Sequence, residues 1–120
     1  MAFLKIRAEQ LDALATPQAE LFEERLARFL CGQFPEAADE PPDELRAAVR
    51  EQSAKADSYG LKTERQAAVY VTCAWLFGPD FDTEFPAALE MLASGEYPPE
   101  DKADWLERWA ESLFAALEED

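Results

Sequence analysis

The chain has 120 residues, 48% of them hydrophobic, with 26 acidic and 11 basic side chains, no histidine and a formal net charge of −15. This charge argues against a phosphate-binding surface and favours a basic partner, and the missing histidine removes the commonest general base and the commonest metal ligand. Three Trp, eight Phe and three Tyr supply enough apolar material for a single helical domain over residues 1–120, with a core that needs no metal or disulfide staple.

In chain order, residues 3–6 (Phe-Leu-Lys-Ile) are the most strand-like stretch and predict a short extended arm. With Lys5 and Arg7 nearby, it is too short and too charged for a signal peptide or a membrane span, so the expected location is the cytoplasm. Glu9–Ala15 predicts a first helix or turn carrying Leu11 and Leu14. Thr16 and Pro17 suit the N-cap and first turn of a second helix. Its buried face repeats Leu21, Phe22, Leu26, Phe29 and Leu30 until Gly32 and Pro35 stop it. Residues 34–42 are Pro-rich and acidic and predict a loop. Asp43 is the candidate cap of a third helix with a face of Leu45, Ala48, Val49, Gln52, Ala56 and Tyr59, ended by Gly60. Thr63 and Gln66 have the spacing of a capping box. The helix they open, about residues 63–77, is apolar on nearly every side from Ala67 to Phe77, which predicts a central element surrounded by others. Gly78 and Pro79 end it, and residues 78–86 predict a loop. Pro86 opens a fifth helix through Leu89, Met91 and Leu92 to Ser94-Gly95. Pro98 and Pro99 start the last helix, with Leu106, Trp109, Ala110, Leu113 and Leu117 inward. The expected fold is all-α, a compact bundle of five or six helices.

The chemistry available to such a chain is narrow. Serine or cysteine nucleophiles have no imidazole to activate them. The four glycines stand singly, so no phosphate cradle forms. Cys31 and Cys73 lack CxxC spacing and read as buried free thiols of a reducing compartment, a mutual disulfide being the alternative. Zinc and carboxylate-bridged di-iron sites both lack their histidines. Asp80-x-Asp82-x-Glu84 resembles the start of a calcium loop, but Phe85 stands where the turn glycine belongs and Met91 where the bidentate glutamate belongs. Asp80 and Asp82 then cap a turn while Phe81 or Phe85 plugs the core. A carboxylate pair for glycoside hydrolysis would need a cleft that a small bundle rarely offers. The expectation is no enzyme activity, no cofactor and no metal.

The acidity is uneven. Residues 1–65 hold nine basic and thirteen acidic side chains, whereas residues 66–120 hold thirteen acids against only Lys102 and Arg108. At about 100° per residue, Glu100, Asp104, Glu107 and Glu111 fall in one stripe of the last helix. That stripe reads either as a solvated face or as a surface for a basic toxin, effector or spike component. Trp105 and Trp109 read either as core or as interface anchors. The candidate partner-binding residues are therefore Asp80, Phe81, Asp82, Glu100, Asp104, Trp105, Glu107, Trp109 and Glu111. Phe81 and the two tryptophans would rim an apolar docking patch, and the carboxylates would steer a basic partner. No nucleic-acid or membrane partner is expected.

Several segments, taken in order, carry a family pattern: I-x-x-E-Q-L-D-A-L (Ile6 to Leu14), F-x-x-R-L (Phe22 to Leu26) and F-P (Phe34-Pro35). A-x-x-Y-G-L-x-T-E (Ala56 to Glu64), F-G-x-D-F-D (Phe77 to Asp82) and P-A-x-L (Pro86 to Leu89) follow. Together they resemble small acidic all-helical accessory proteins encoded in bacterial type VI secretion gene clusters, beside spike proteins, adaptor chaperones and effectors. The resemblance implies a non-enzymatic role in loading or shielding secreted cargo, and it implies no catalytic residues. The long acidic loop at residues 34–42 and the acidic second half depart from the usual pattern. Two other expectations are an immunity protein neutralising a basic toxin and a nucleic-acid-mimicking inhibitor of a DNA-binding protein.

Overall fold

The computed structural model of the protein describes residues 22–118, and the side chains of 22–116. All regular structure among these residues is helical, as six α-helices and one 3-10 turn with no strand. The expected arm at residues 3–6, the Glu9–Ala15 element, the Thr16–Pro17 cap, Leu21 and the side chain of Leu117 lie outside the described residues.

Helix α1 (Phe22–Gln33) buries Leu26, Ala27, Phe29 and Leu30, the face its spacing predicts. The acidic segment after it is not an open loop. Pro35–Asp39 winds into a 3-10 turn that buries Ala37 completely. Proline presets the first φ of such a turn, and backbone bonds from Ala37 to Phe34 and from Glu40 to Ala37 close it.

Helix α2 (Pro42–Ser58) begins one residue before the expected cap. Pro41 occupies the cap position with no side-chain bond, and Pro42 takes the first helical position. Proline there has a preset φ and no N–H to orphan, so it outcompetes the Asp43 cap. Asp43 instead pairs with Arg46 at 2.7 Å. Leu45, Val49, Gln52 and Ala56 face inward, Tyr59 is half-buried, and Ala48 stays exposed. The helix ends in a Schellman motif. Leu61 donates to Ala56 (2.9 Å), Gly60 donates to Asp57 (3.0 Å), and Gly60 sits at φ +90°, where a side chain would be strained.

Helix α3 (Glu64–Phe77) opens with the capping box: Gln66 N–H donates to Thr63 Oγ1 at 3.1 Å, and Thr63 N–H donates to Gln66 Oε1 at 3.2 Å. Every residue from Gln66 to Ala74 is buried, so α3 is the central element that its all-round apolarity predicts. It packs on α2 and α6 most extensively, and on α1 and the next turn of chain. Gly78, at φ +108°, reverses the chain.

Residues 78–86 contain a one-turn helix, α4 (Phe81–Glu84), rather than only a loop. Its Phe81 is fully buried and anchors the turn to the core. Helix α5 (Pro86–Ala93) buries Ala88 and Leu92, and α6 (Pro99–Glu118) buries Ala103, Leu106 and Ala110. Trp109 and Leu113 of the expected inward face are half-buried. Cys31 and Cys73 are both free thiols, and burial pushes the Cys73 thiol well above its ordinary pKa. No helix among the described residues is long and apolar enough to cross a membrane.

Candidate functional site

The polar and aromatic side chains gather into a buried acid hub, an arginine ladder and an aromatic chain, with concavities on the surface between the helices. The hub centres on Asp82, the second residue of α4, which is only 4% exposed. Lys55, one turn before the end of α2, donates to Asp82 Oδ1 (3.0 Å) and to the Pro79 carbonyl (2.7 Å). Tyr59, one turn further on, donates its hydroxyl to Asp82 Oδ2 at 2.8 Å. Gln52, one turn before Lys55, donates to the same Pro79 carbonyl at 3.1 Å. Helical spacing thus aims two side chains of α2 and that of its C-cap residue, Tyr59, at a single reversal of the chain.

Burial alone would raise the Asp82 carboxyl, but the hydrogen bonds from Tyr59 and Lys55, the Lys55 charge and a backbone bond outweigh it and hold the group below the usual carboxylate range. Tyr59 is pushed up to about 12, first by burial and then by its bond to Asp82 and that residue's charge. The Tyr70 phenol is raised further, again by burial first and the Asp82 charge second. Its hydroxyl is buried and has no partner in hydrogen-bond geometry, although it lies close enough to feel that carboxylate. At neutral pH the carboxylate therefore stays ionised and both phenols stay protonated.

Phe81 and Asp82 accordingly do not belong to a docking surface. Phe81 is the core plug and Asp82 is a buried ion-pair centre. Asp80 is exposed; it holds the cap position of α4 without a side-chain bond, and sits 3.7 Å from Lys55. No group of three or more Cys, Asp or Glu side chains that could hold a metal converges among the described residues.

The acidic stripe of α6 meets a cation from its own chain. Arg65, in the first turn of α3, reaches Glu100 (2.6 Å), Asp104 (2.8 Å) and Glu107 (3.6 Å). Gln66 adds a bond to the other oxygen of Glu100 at 3.0 Å. Three of the four stripe residues thus clamp α6 to α3, and only Glu111 has no ion pair among the described residues. Arg25 pairs with Glu64 in the same way, tying α1 to the start of α3.

Trp109 is half-buried at the centre of an aromatic chain. It lies 5.3 Å from Phe77, 5.4 Å from Phe85 and 6.2 Å from Phe81 (ring centroids), and Trp105 stacks on it at 5.6 Å with only 12° between planes. Phe81 in turn packs on Tyr70 at 4.9 Å. Trp109 therefore serves the core, and Trp105 is its outer edge.

Among the concavities lined by the described residues, one lies between α1, the 3-10 turn and α2, beside Cys31 and Ala37, and two others carry exposed aromatic or apolar walls. The first of these two, of about 270 Å³, runs between α1, α2 and the end of α3, with Leu30, Val49, Val71 and Ala74 inside and Trp75 and Pro79 among its other walls. Gln52 also lines it, and the Oε1 atom of Gln52 is buried without a partner. The second, of about 400 Å³, lies beside the first turns of α6 and is lined by Met91, Tyr97, Asp101, Asp104, Trp105 and Arg108. Tyr97 is 47% exposed there, one of two large hydrophobic side chains left open among the described residues.

Neither Lys55 nor Arg65 stands out in the sequence, and nothing there gives Trp75, Tyr97 or Asp101 a role. One signal was available for Arg65: after it no basic residue occurs until Lys102. Compared with known proteins, the chain matches no family model, no curated protein and no solved structure.

Proposed function

We propose that the chain is a non-enzymatic protein-binding accessory factor of a type VI secretion locus, a cytoplasmic chaperone or adaptor for an effector or spike component. The resemblance of its ordered motifs suggests the setting. The apolar groove between α1, α2 and α3 supports a protein-binding role. It is framed by three helices and the Gly78-Pro79 reversal, and about 270 Å³ suits one large apolar side chain of a cargo segment. The Asp82 hub holds the rim of this groove in place, because Gln52 and Lys55 both bind the Pro79 carbonyl. A docking patch built on Phe81 and Trp109 is replaced in this reading by the surface around Trp75.

The test is co-expression with effector and spike products of the same locus, followed by purification at about 1 M salt, where the screening length falls to about 3 Å. An apolar interface keeps its cargo under those conditions. Ala48→Arg, on the exposed wall of the groove, then releases it. Cargo that stays bound to the Ala48→Arg variant, or secretion that is unchanged when the gene is deleted, overturns the proposal. Rescue of cells from a co-expressed toxin, with no effect on secretion, would point to an immunity protein instead.

A further inference from the structure

We infer that the concavity beside α6 is a receptor for a single lysine or arginine side chain of a partner protein. The inference rests on the protein-binding reading but not on the secretion setting. Its walls have the chemistry that a cation requires. Tyr97 is half open to solvent, and Trp105 is braced from behind by Trp109 at 5.6 Å, so an aromatic surface is held in place without help from the ligand. Aromatic faces attract cations through their quadrupole, and Met91 offers an apolar bed for the methylene stem of such a side chain.

The charges around the concavity are only partly engaged. Asp104 Oδ1 accepts a hydrogen bond from Arg65. Asp101, exposed on the first turn of α6, has no ion pair or hydrogen bond among the described residues. Arg108, two turns further along, also has none, although it is one turn from Asp104. Trp105 lies between this free anion and free cation, which are separated by roughly 10 Å along the helix axis. Asp101 therefore marks the end of the concavity where an incoming cation is stabilised. Arg108 marks the end where a second cation is repelled and an acidic or neutral neighbour is preferred. The overall charge of −15 draws basic partners toward the molecule, and the aromatic walls with the Asp101/Arg108 polarity determine which part of the partner docks.

The experiment uses the full chain and the blocked tripeptide acetyl-Ala-Lys-Ala-amide, titrated at physiological salt while the indole N–H signals are followed by NMR. The control peptide carries norleucine in place of lysine. The expected result is a saturable shift at Trp105 with the lysine peptide and none with the norleucine peptide. Asp101→Asn and Tyr97→Ala each weaken binding about three- to fivefold, whereas Glu36→Gln, which removes the same charge from an exposed site in the 3-10 turn, leaves it unchanged. Equal weakening by Asp101→Asn and Glu36→Gln would mean that only the bulk charge is felt, and would overturn the inference. So would shifts spread over the whole acidic surface, or self-association of the chain through Tyr97. If locus cargo still binds through the groove while the lysine titration fails, this concavity is not the site and the proposed function stands.

Discussion

The Asp82 hub and the Arg65 ladder are built from the same materials, carboxylates against a single cation, yet they differ in what surrounds them. Asp82 has a side chain 5% exposed and meets Lys55, itself 29% exposed. Arg65 is 17% exposed, but two of its three acids, Glu100 and Asp104, are 56% and 43% exposed. A charge removed from water depends on every hydrogen bond it receives, because an unpaired ion inside the protein is far costlier than one outside. Water replaces a lost partner at Glu100 at little cost, but it has little access to Asp82. The hub therefore sets whether α2 and α4 stay together, while the ladder adjusts how firmly α6 lies on α3.

The largest expected effect is that of Asp82→Ala. It leaves the Tyr59 hydroxyl and one Lys55 donor without their acceptor and should cost about 3 kcal/mol of unfolding free energy, read from urea denaturation at neutral pH. The pH dependence sharpens the contrast. The folded-state pKa of Asp82 lies below the unfolded value, so its contribution is present above about pH 4 and is lost as pH falls through the lowered folded value. Tyr59 has the opposite sign. Its phenol is raised from 10.0 to about 12, so its contribution is complete below pH 10.0 and fades as pH rises toward 12. Tyr59→Phe should flatten that part of the alkaline decline, and an unchanged alkaline limb in this variant would remove Tyr59 from the hub.

A second buried charge, this one a cation, tests whether burial or carboxylate pairing is the decisive factor. Lys102 is only 7% exposed and pairs with no acid among the described residues. Its ammonium donates to the Leu92 carbonyl at 2.8 Å and reaches the Tyr59 carbonyl at 3.5 Å, the C-terminal ends of α5 and α2. Both ends carry partial negative charge. Lys102→Met keeps the length of the side chain and removes its donors, and should cost about 1–2 kcal/mol. A neutral result would mean that helix-end carbonyls do not substitute for a carboxylate here.

The fold was legible wherever a signal is local. The Thr63/Gln66 box, the stops at Gly60 and Gly78, and the all-round apolar run of α3 each depend on residues within one or two turns of each other. Asp43 failed as a cap for an equally local reason, since Pro42 takes the first helical position and moves the cap back to Pro41. The hub was not legible because Lys55 and Asp82 are 27 residues apart, and nothing in Asp80-Phe81-Asp82 distinguishes a turn cap from an acid directed inward. The stripe on α6 could be read from helical spacing. Its partner Arg65, 35 residues before Glu100, could not, because periodicity describes one helix and not the neighbour laid across it. Tyr97 lies in a short connection where no periodicity applies, so the second concavity had no sequence signature.

The smallest effect is expected at the ladder, and it separates the two regions most directly. Arg65→Gln removes the cation but keeps a long polar side chain near Glu100, Asp104 and Glu107. Because exposed pairs contribute about 0.2–1 kcal/mol each and two of the three acids are well solvated, the loss should stay near 1 kcal/mol. It should also shrink as salt rises toward about 1 M, where screening reaches within about 3 Å of each charge. The Asp82→Ala loss should change little over the same range, since buried pairs are screened much less. Unfolding both variants in low and high salt gives the comparison. If both losses decline in parallel, the hub is more open to water than its burial implies; if neither declines, Arg65 holds α6 mainly by packing its stem, and charge is secondary in both places.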